Sequence, residues 1–227
     1  MAQSEELRFR RMFQFEAELR SQGFARIAGV DEAGRGPLAG SVVAAACILP
    51  EGFFLAYLND SKQLRPEKRK ELYESLIAYP GIVYGISSVD VSTIDQINIL
   101  QASLLAMERA VALLSIQPDY LLIDGNQLPK TKIPARALVE GDARSISIAA
   151  ASVLAKVTRD AQLEELAKQY PQYGFEKHKG YATAEHLRAI ALYGPCPIHR
   201  RTFEPIKSSL EPSLFDMLKT KEHTPID

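Results

Sequence analysis

Five short β-rich runs, at residues 25–31, 41–49, 81–90, 119–125 and 135–142, set the limits on what this chain can fold into. Runs of that length bounded by Gly, Pro, Asn or Asp read as strands, and helical stretches lie between several of them, which is the pattern of an α/β sheet. The first two, ARIAGVD and SVVAAACIL, are separated only by the glycine-dense EAGRGPLAG and read as a hairpin with a functional tip. The stretch KQLRPEKRKELYESLIAY carries Leu72, Leu76 and Ile77 at helical spacing, and a second helix runs from about Asn98 to Ser115, stopped by Pro118. Helices between strands predict parallel pairing. From Ser145 to Tyr170 an alanine-rich segment with apolar positions three and four apart predicts a long, closely packed helix, and another follows Thr183.

The 46% hydrophobic and 24% charged composition is that of a folded domain, and a chain of 227 residues buries roughly 70% of its unfolded surface without needing a disulfide or structural metal. The expected organisation is a single domain over 1–227: an N-terminal amphipathic helix at 1–24 ended by Gly23, the sheet core and its helices at 25–170, and a helical C-terminal extension at 171–227 cut by Pro205, Pro212 and Pro225. A formal net charge of -1 excludes a uniformly basic nucleic-acid binder, so contact with a polyanion must be local. The longest run without a polar side chain, Val42 to Pro50, is 9 residues, less than half a membrane span, and the N-terminus lacks the apolar core of a signal peptide. Two cysteines, Cys47 and Cys196, do not make a secreted framework and point to the cytoplasm.

Four acids fall at strand ends: Asp31 and Glu32 after the first strand, Asp124 after the fourth and Asp142 after the fifth. If those strands are parallel neighbours, their C-terminal ends lie on one edge, where open α/β sheets place their sites. Successive strand residues face opposite ways, so Asp31 and Glu32 share a site only if the chain turns there, and EAGRG supplies a turn. Clustered carboxylates repel one another unless divalent cations neutralise them. All-oxygen ligands suit Mg²⁺ or Mn²⁺, and two such ions about 3.5 to 4 Å apart promote in-line phosphodiester hydrolysis. Against this stands the plain reading of each Asp as a turn former.

GRGPLAG is one residue too long for a dinucleotide fingerprint, and Pro37 sits where a helix would continue. Gly34 and Gly36 instead suit close backbone approach to a ligand, with Arg35 as a phosphate or ribose contact. Basic charge gathers at 62–70, with Lys62, Arg65, Lys68, Arg69 and Lys70 against Glu67, and again over 177–207. Two basic patches flanking an acidic centre suit a nucleic acid whose phosphates reach metals in the middle. Tyr173, Phe175 and Tyr181 offer rings for stacking, although aromatics so spaced are commonly core. Cys196 and His199 have the spacing of half a zinc site but lack a second pair.

The motifs GVDEAGRGPLAG at 29–40, NDSKQL at 59–64, LLIDGN at 121–126, EGDARSISIAAASVLAKVTRD at 140–160, HKGYAT at 178–183 and HRRTFEPI at 199–206 closely resemble those of bacterial ribonuclease HII, the type 2 ribonuclease H. The resemblance implies a ribonuclease H-like fold with a five-stranded mixed sheet, Mg²⁺ or Mn²⁺ dependence, and endonucleolytic cleavage of RNA paired to DNA. It also implies incision 5′ of single ribonucleotides embedded in duplex DNA, leaving 3′-hydroxyl and 5′-phosphate ends. On its terms Asp31, Glu32, Asp124 and Asp142 are the metal-binding catalytic acids, Gly34, Arg35 and Gly36 contact the ribonucleotide, Tyr181 packs on the sugar beside the cleavage site, and Lys62 contacts a phosphate. The expected partners are RNA/DNA hybrid and ribonucleotide-containing duplex DNA, met by a monomer. The type 3 enzyme implies an N-terminal substrate-binding domain, for which about 24 residues before the first strand are too few. Two other readings are a catalytically silent hybrid-binding module and a phosphotransferase of the sugar-kinase type, which would need a second lobe.

Overall fold

The computed structural model describes residues 2–59, 61 and 63–210, with side chains from residue 6 onwards. Its centre is a five-stranded mixed sheet of β1 (Ile27–Ala33), β2 (Val42–Ile48), β3 (Val83–Val89), β4 (Tyr120–Asp124) and β5 (Ala135–Leu138), in the order β3-β2-β1-β4-β5. Strands β1 and β2 form the expected antiparallel hairpin, and β1, β4 and β5 run parallel.

The expected parallel pairing fails at one place. Strand β3 lies antiparallel to β2 although α3 (Pro66–Ala78) intervenes, because the chain travels back along the sheet before entering β3. The helix expected from Asn98 also begins earlier: α4 spans Val91–Ala112 and carries a break at Asn98, whose φ is 66°. Asp90 caps the first segment through Thr93 N, and the Asn98 side chain accepts from Gln101 N at 3.1 Å, restarting the helix where the periodicity places its onset.

Every residue of β2 is buried, because both faces of the sheet are covered. On one face α5 (Ile146–Gln169) packs with α3 and the N-terminal helices α1 (Ala2–Met12) and α2 (Gln14–Ser21), joining Phe9, Met12, Ala45, Cys47, Leu72, Leu76 and the alanines at 149–151. On the other, α4 covers Ala28, Val30, Ala44, Ala46 and Ile123 with Ala102, Ala106 and Ala110. Small side chains on both partners let helix and sheet approach closely. At Gly29 the approach is closest: a β-carbon there would lie 2.1 Å from the Ser147 carbonyl carbon, so only glycine lets the first turn of α5 cross β1. The described part of the C-terminal region adds α6 (Phe175–His178), α7 (Ala184–Tyr193) and α8 (Ile206–Leu210), which pack with Leu38 and Ala39 of the hairpin tip against Leu163 and Ala167 of α5.

Candidate active site

The parallel ladder between β1 and β4 ends at Val30↔Ile123, whereas the hairpin pairing of β1 continues through Ala33↔Val43. Asp31 and Glu32 therefore lie inside β1 rather than after it. The next step of the parallel register sets Asp31 beside Asp124, on the same face of the sheet. Asp142 is not at the end of β5 either. It follows in a 3-10 turn (Gly141–Ala143) entered through Glu140, which takes a left-handed φ of 55°. That turn is stitched to β4 by the Gly141 amide, which donates to Asp124 Oδ1 at 2.7 Å.

The result is one cluster: a carboxylate oxygen from each of Asp31, Asp124 and Asp142 lies within 4.8 Å of the others, and Asp31 and Asp142 are buried. Among the described residues no other group of three potential ligands converges, and Cys196 with His199 does not form one. Glu32 lies outside the trio, as strand alternation demands. It faces α4, lining a small pocket with Asp124, Leu100, Ser103 and Met107, and Arg35 reaches its carboxylate at 3.3 Å.

Burial, reinforced by the charges of Glu32 and Asp124, raises the Asp31 carboxyl well above the usual carboxylate range, with the Ser152 hydroxyl pulling the other way. Glu32 is raised by burial, while Arg35 opposes the shift. Among the described residues no lysine or arginine pairs with Asp31 or Asp124. Three crowded oxygen donors, two of them buried, form a set that a hard divalent cation completes, so the residues fit Mg²⁺ or Mn²⁺.

The hairpin tip that follows the acids is held from behind by two fully buried arginines, Arg159 and Arg200, and the second of these, expected in the basic stretch over 177–207, is therefore not part of a surface patch. Arg200 donates to the carbonyls of Gly34 (2.6 Å), Arg35 (2.9 Å) and Gly40 (2.9 Å). Arg159 donates to those of Ser41, Ala39 and Lys179. Burial and the proximity of Arg159 bring Arg200 down to about 9. A β-carbon at Gly34, where φ is +100°, would lie 2.1 Å from Arg159 Nε, so the tip and the arginine fit only with glycine there. With the Gly34 and Arg35 carbonyls turned inward, the amides of Arg35 and Gly36 donate to no backbone carbonyl among the described residues. A positive residue inside the apolar spacing 155, 159, 163, 167 was the available signal for Arg159. Nothing local distinguished Arg200 from Arg201.

Tyr181 stands beside this tip, 46% exposed, and a β-carbon on Gly36 would lie 3.7 Å from its Cε1. Lys156 Nζ is 6.0 Å from its ring centre. Tyr173 and Phe175 are core residues, stacked on each other at 5.4 Å. Lys62 lies outside the described residues. The two basic stretches meet in part: Arg69 and Lys70 of the first and Lys177 and Lys179 of the second line one 710 Å³ groove with Lys156, together with Glu67, Asp160, Glu164 and Glu176. Several are already paired, Lys156 with Asp160 and Lys179 with Glu164, each at 2.7 Å.

With this geometry in place, comparison with known proteins gives a consistent answer. The family model described as Ribonuclease HII matches residues 28–206. Ribonuclease HII of Chlamydia caviae is 54% identical over 193 residues, covering 85% of this chain and 91% of that protein. Among solved structures, ribonuclease H2 from Pyrococcus horikoshii superposes with a TM-score of 0.66 at 29% identity, covering 81% of this chain and 96% of the other. Bst-RNase HIII in complex with Mn²⁺ shares the fold at a TM-score of 0.62 and 18% identity, covering 82% and 69%.

Proposed function

The chain belongs to the ribonuclease HII family, whose members are metal-dependent endoribonucleases acting on RNA/DNA hybrids, and from that premise we propose that it also incises 5′ of single ribonucleotides embedded in duplex DNA. The observation that carries this reading is the pairing of an exposed Tyr181 with the Arg35 and Gly36 amides, placed one turn of chain beyond Asp31. Backbone amides this close to a strand recognise a 2′-hydroxyl and its phosphate at a single nucleotide, whereas a ring beside them packs on the sugar. One ribose then suffices for recognition, and a long hybrid is not required.

Asp31, Glu32, Asp124 and Asp142 would hold the cations. Two divalent ions, Mg²⁺ or Mn²⁺, would supply activation of water and neutralise charge on the leaving oxygen, giving 3′-hydroxyl and 5′-phosphate ends. This chain's own contribution is to hold the scissile phosphate in line. The Arg200 fork fixes the tip, Arg35 and Gly36 present amides, and Ser152 orients Asp31. The groove lined by Arg69, Lys70, Lys156, Lys177 and Lys179 also carries Glu67, Asp160, Glu164 and Glu176, so a flanking backbone would be held there by exchanging these ion pairs for phosphates rather than by base readout. We read Lys62 as a further phosphate contact. The protein acts as a monomer in a reducing cytoplasm, where Cys47 and Cys196 stay free thiols.

The test is a duplex DNA carrying one ribonucleotide, labelled at its 5′ end and incubated with the purified protein and Mg²⁺ or Mn²⁺. Incision immediately 5′ of the ribonucleotide with a 3′-hydroxyl terminus is expected. Cleavage of a long hybrid with no incision of this duplex in either metal would overturn the proposal while leaving the family activity intact.

A further inference from the structure

Behind Tyr181 the protein buries three histidines, and among the described residues they are not gathered as a metal-ligand group. His178, His186 and His199 are all buried, His178 and His186 stack with ring centres 4.4 Å apart, and Phe175 closes the group edge-on. Their hydrogen bonds have a fixed direction. At one end His186 Nδ1 lies 2.9 Å from the Tyr181 carbonyl, which can only accept, so Nδ1 carries the hydrogen. At the other end His199 Nδ1 meets three atoms of Cys196, the amide at 2.9 Å, the thiol at 3.1 Å and the carbonyl at 3.3 Å, and the shortest contact, with the amide donor, suits it as an acceptor. The two Nε2 atoms are 3.0 Å apart, which leaves one neutral arrangement: His199 Nε2–H donates to His186 Nε2. Burial holds both rings below the ordinary histidine value, His199 at about 4, with His186 further disfavouring charge on His199 and His178 disfavouring it on both.

The relay thus runs from the Cys196 amide through two neutral rings to the backbone of the tyrosine. The same carbonyl accepts from the Thr183 amide at 2.8 Å, and Thr183 in turn caps α7. One residue earlier, the Gly180 carbonyl accepts from Leu38 of the hairpin tip at 2.8 Å. The backbone under Tyr181 is therefore fixed from two sides, by the tip and by the histidines.

We propose that His186 and His199 are positioning residues for ribonucleotide recognition: their relay holds the Tyr181 backbone so that its ring is seated beside Gly36, where the ribose of the scissile nucleotide must lie. This deepens the proposed function and rests on Tyr181 meeting that sugar.

The test is a double-mutant cycle on single-ribonucleotide duplex, comparing Tyr181→Ala, His186→Leu and the double variant, with thermal unfolding checked for each. His186→Leu should lower kcat/KM roughly tenfold in the parent and cause no further loss in the Tyr181→Ala background. His186→Asn, whose side-chain amide can replace the Nδ1 donor, should recover most of the activity. Equal losses in both backgrounds would overturn the proposal, since His186 would then act elsewhere. Tyr181→Ala with undiminished incision would instead remove the underlying reading of the tyrosine. Should His186→Leu fail to fold, the ¹⁵N spectrum of the imidazoles in the parent protein decides: hydrogen on His186 Nδ1 and His199 Nε2 supports the relay, and the opposite tautomers overturn it.

Discussion

Asp31 and Asp124 sit side by side one step past the last rung of the β1–β4 ladder, where Val30 pairs with Ile123 and the two strands stop exchanging hydrogen bonds. Their carboxylates share one face, and repulsion from Asp124 adds to burial in raising the Asp31 carboxyl. Asp31→Asn keeps the volume and removes the charge. Cleavage of a labelled hybrid should fall by at least about a hundredfold, while thermal stability stays level or rises by about 1 kcal/mol. Single-turnover rates and Tm on the same sample check both halves.

Because burial and neighbouring carboxylates raise the Asp31 carboxyl, cation binding must displace bound protons. Mg²⁺ or Mn²⁺ affinity should strengthen as pH rises, with proton release visible as a dependence of calorimetric enthalpy on the buffer. The raised carboxyl also stabilises the metal-free fold at low pH and loses that contribution as pH climbs through its folded value, so the gain in Tm on adding Mn²⁺ should grow with pH. A buffer-independent enthalpy would contradict this.

Arg200→Lys retains a positive charge but loses the planar fork that serves Gly34, Arg35 and Gly40 together. Buried carbonyls are left without donors, costing about 2 to 4 kcal/mol, and the tip loses its fixed shape. Denaturant unfolding should show the loss, and KM for a long hybrid should rise by a larger factor than kcat falls.

His199 sits at about 4 in the folded chain against an ordinary 6.5, so its neutral form is favoured by folding. The unfolded chain takes up a proton first as pH drops. Stability is therefore fully present above 6.5 and declines between 6.5 and 4, lowering Tm by several degrees. His199→Gln, which keeps a side-chain donor towards His186, should flatten that decline in a pH series of melts.

The order of strands and helices was legible from periodicity, because five short apolar runs and one alanine-rich helix leave few arrangements. The cluster was legible in part. Asp31 and Asp124 converge because the β1–β4 pairing stops one step before them, and Asp142 joins them from the turn after β5, so strand position foretells the meeting in part. Glu32 lies outside that trio because successive strand residues face opposite ways and the turn expected after Asp31 comes only after Ala33, yet its charge is felt at Asp31 and it remains a proposed ligand. The antiparallel β3 escaped notice because a helix between strands does not itself fix direction. The roles of Arg159, Arg200 and the histidine relay were not legible because most partners of the two arginines are backbone atoms more than a hundred positions away, which only the folded chain brings together.

One buried acid from the N-terminal segment changes how the family boundary at residue 28 should be understood. Glu16 of α2 accepts at Oε1 from the Ser147 amide and from the hydroxyls of Ser145 and Ser147, closing the first turn of α5. The catalytic unit thus borrows its lock from outside the stretch that the family model matches, and a protein trimmed to residues 28–206 should lose the register of α5 against β1 before it loses any residue of the acid trio.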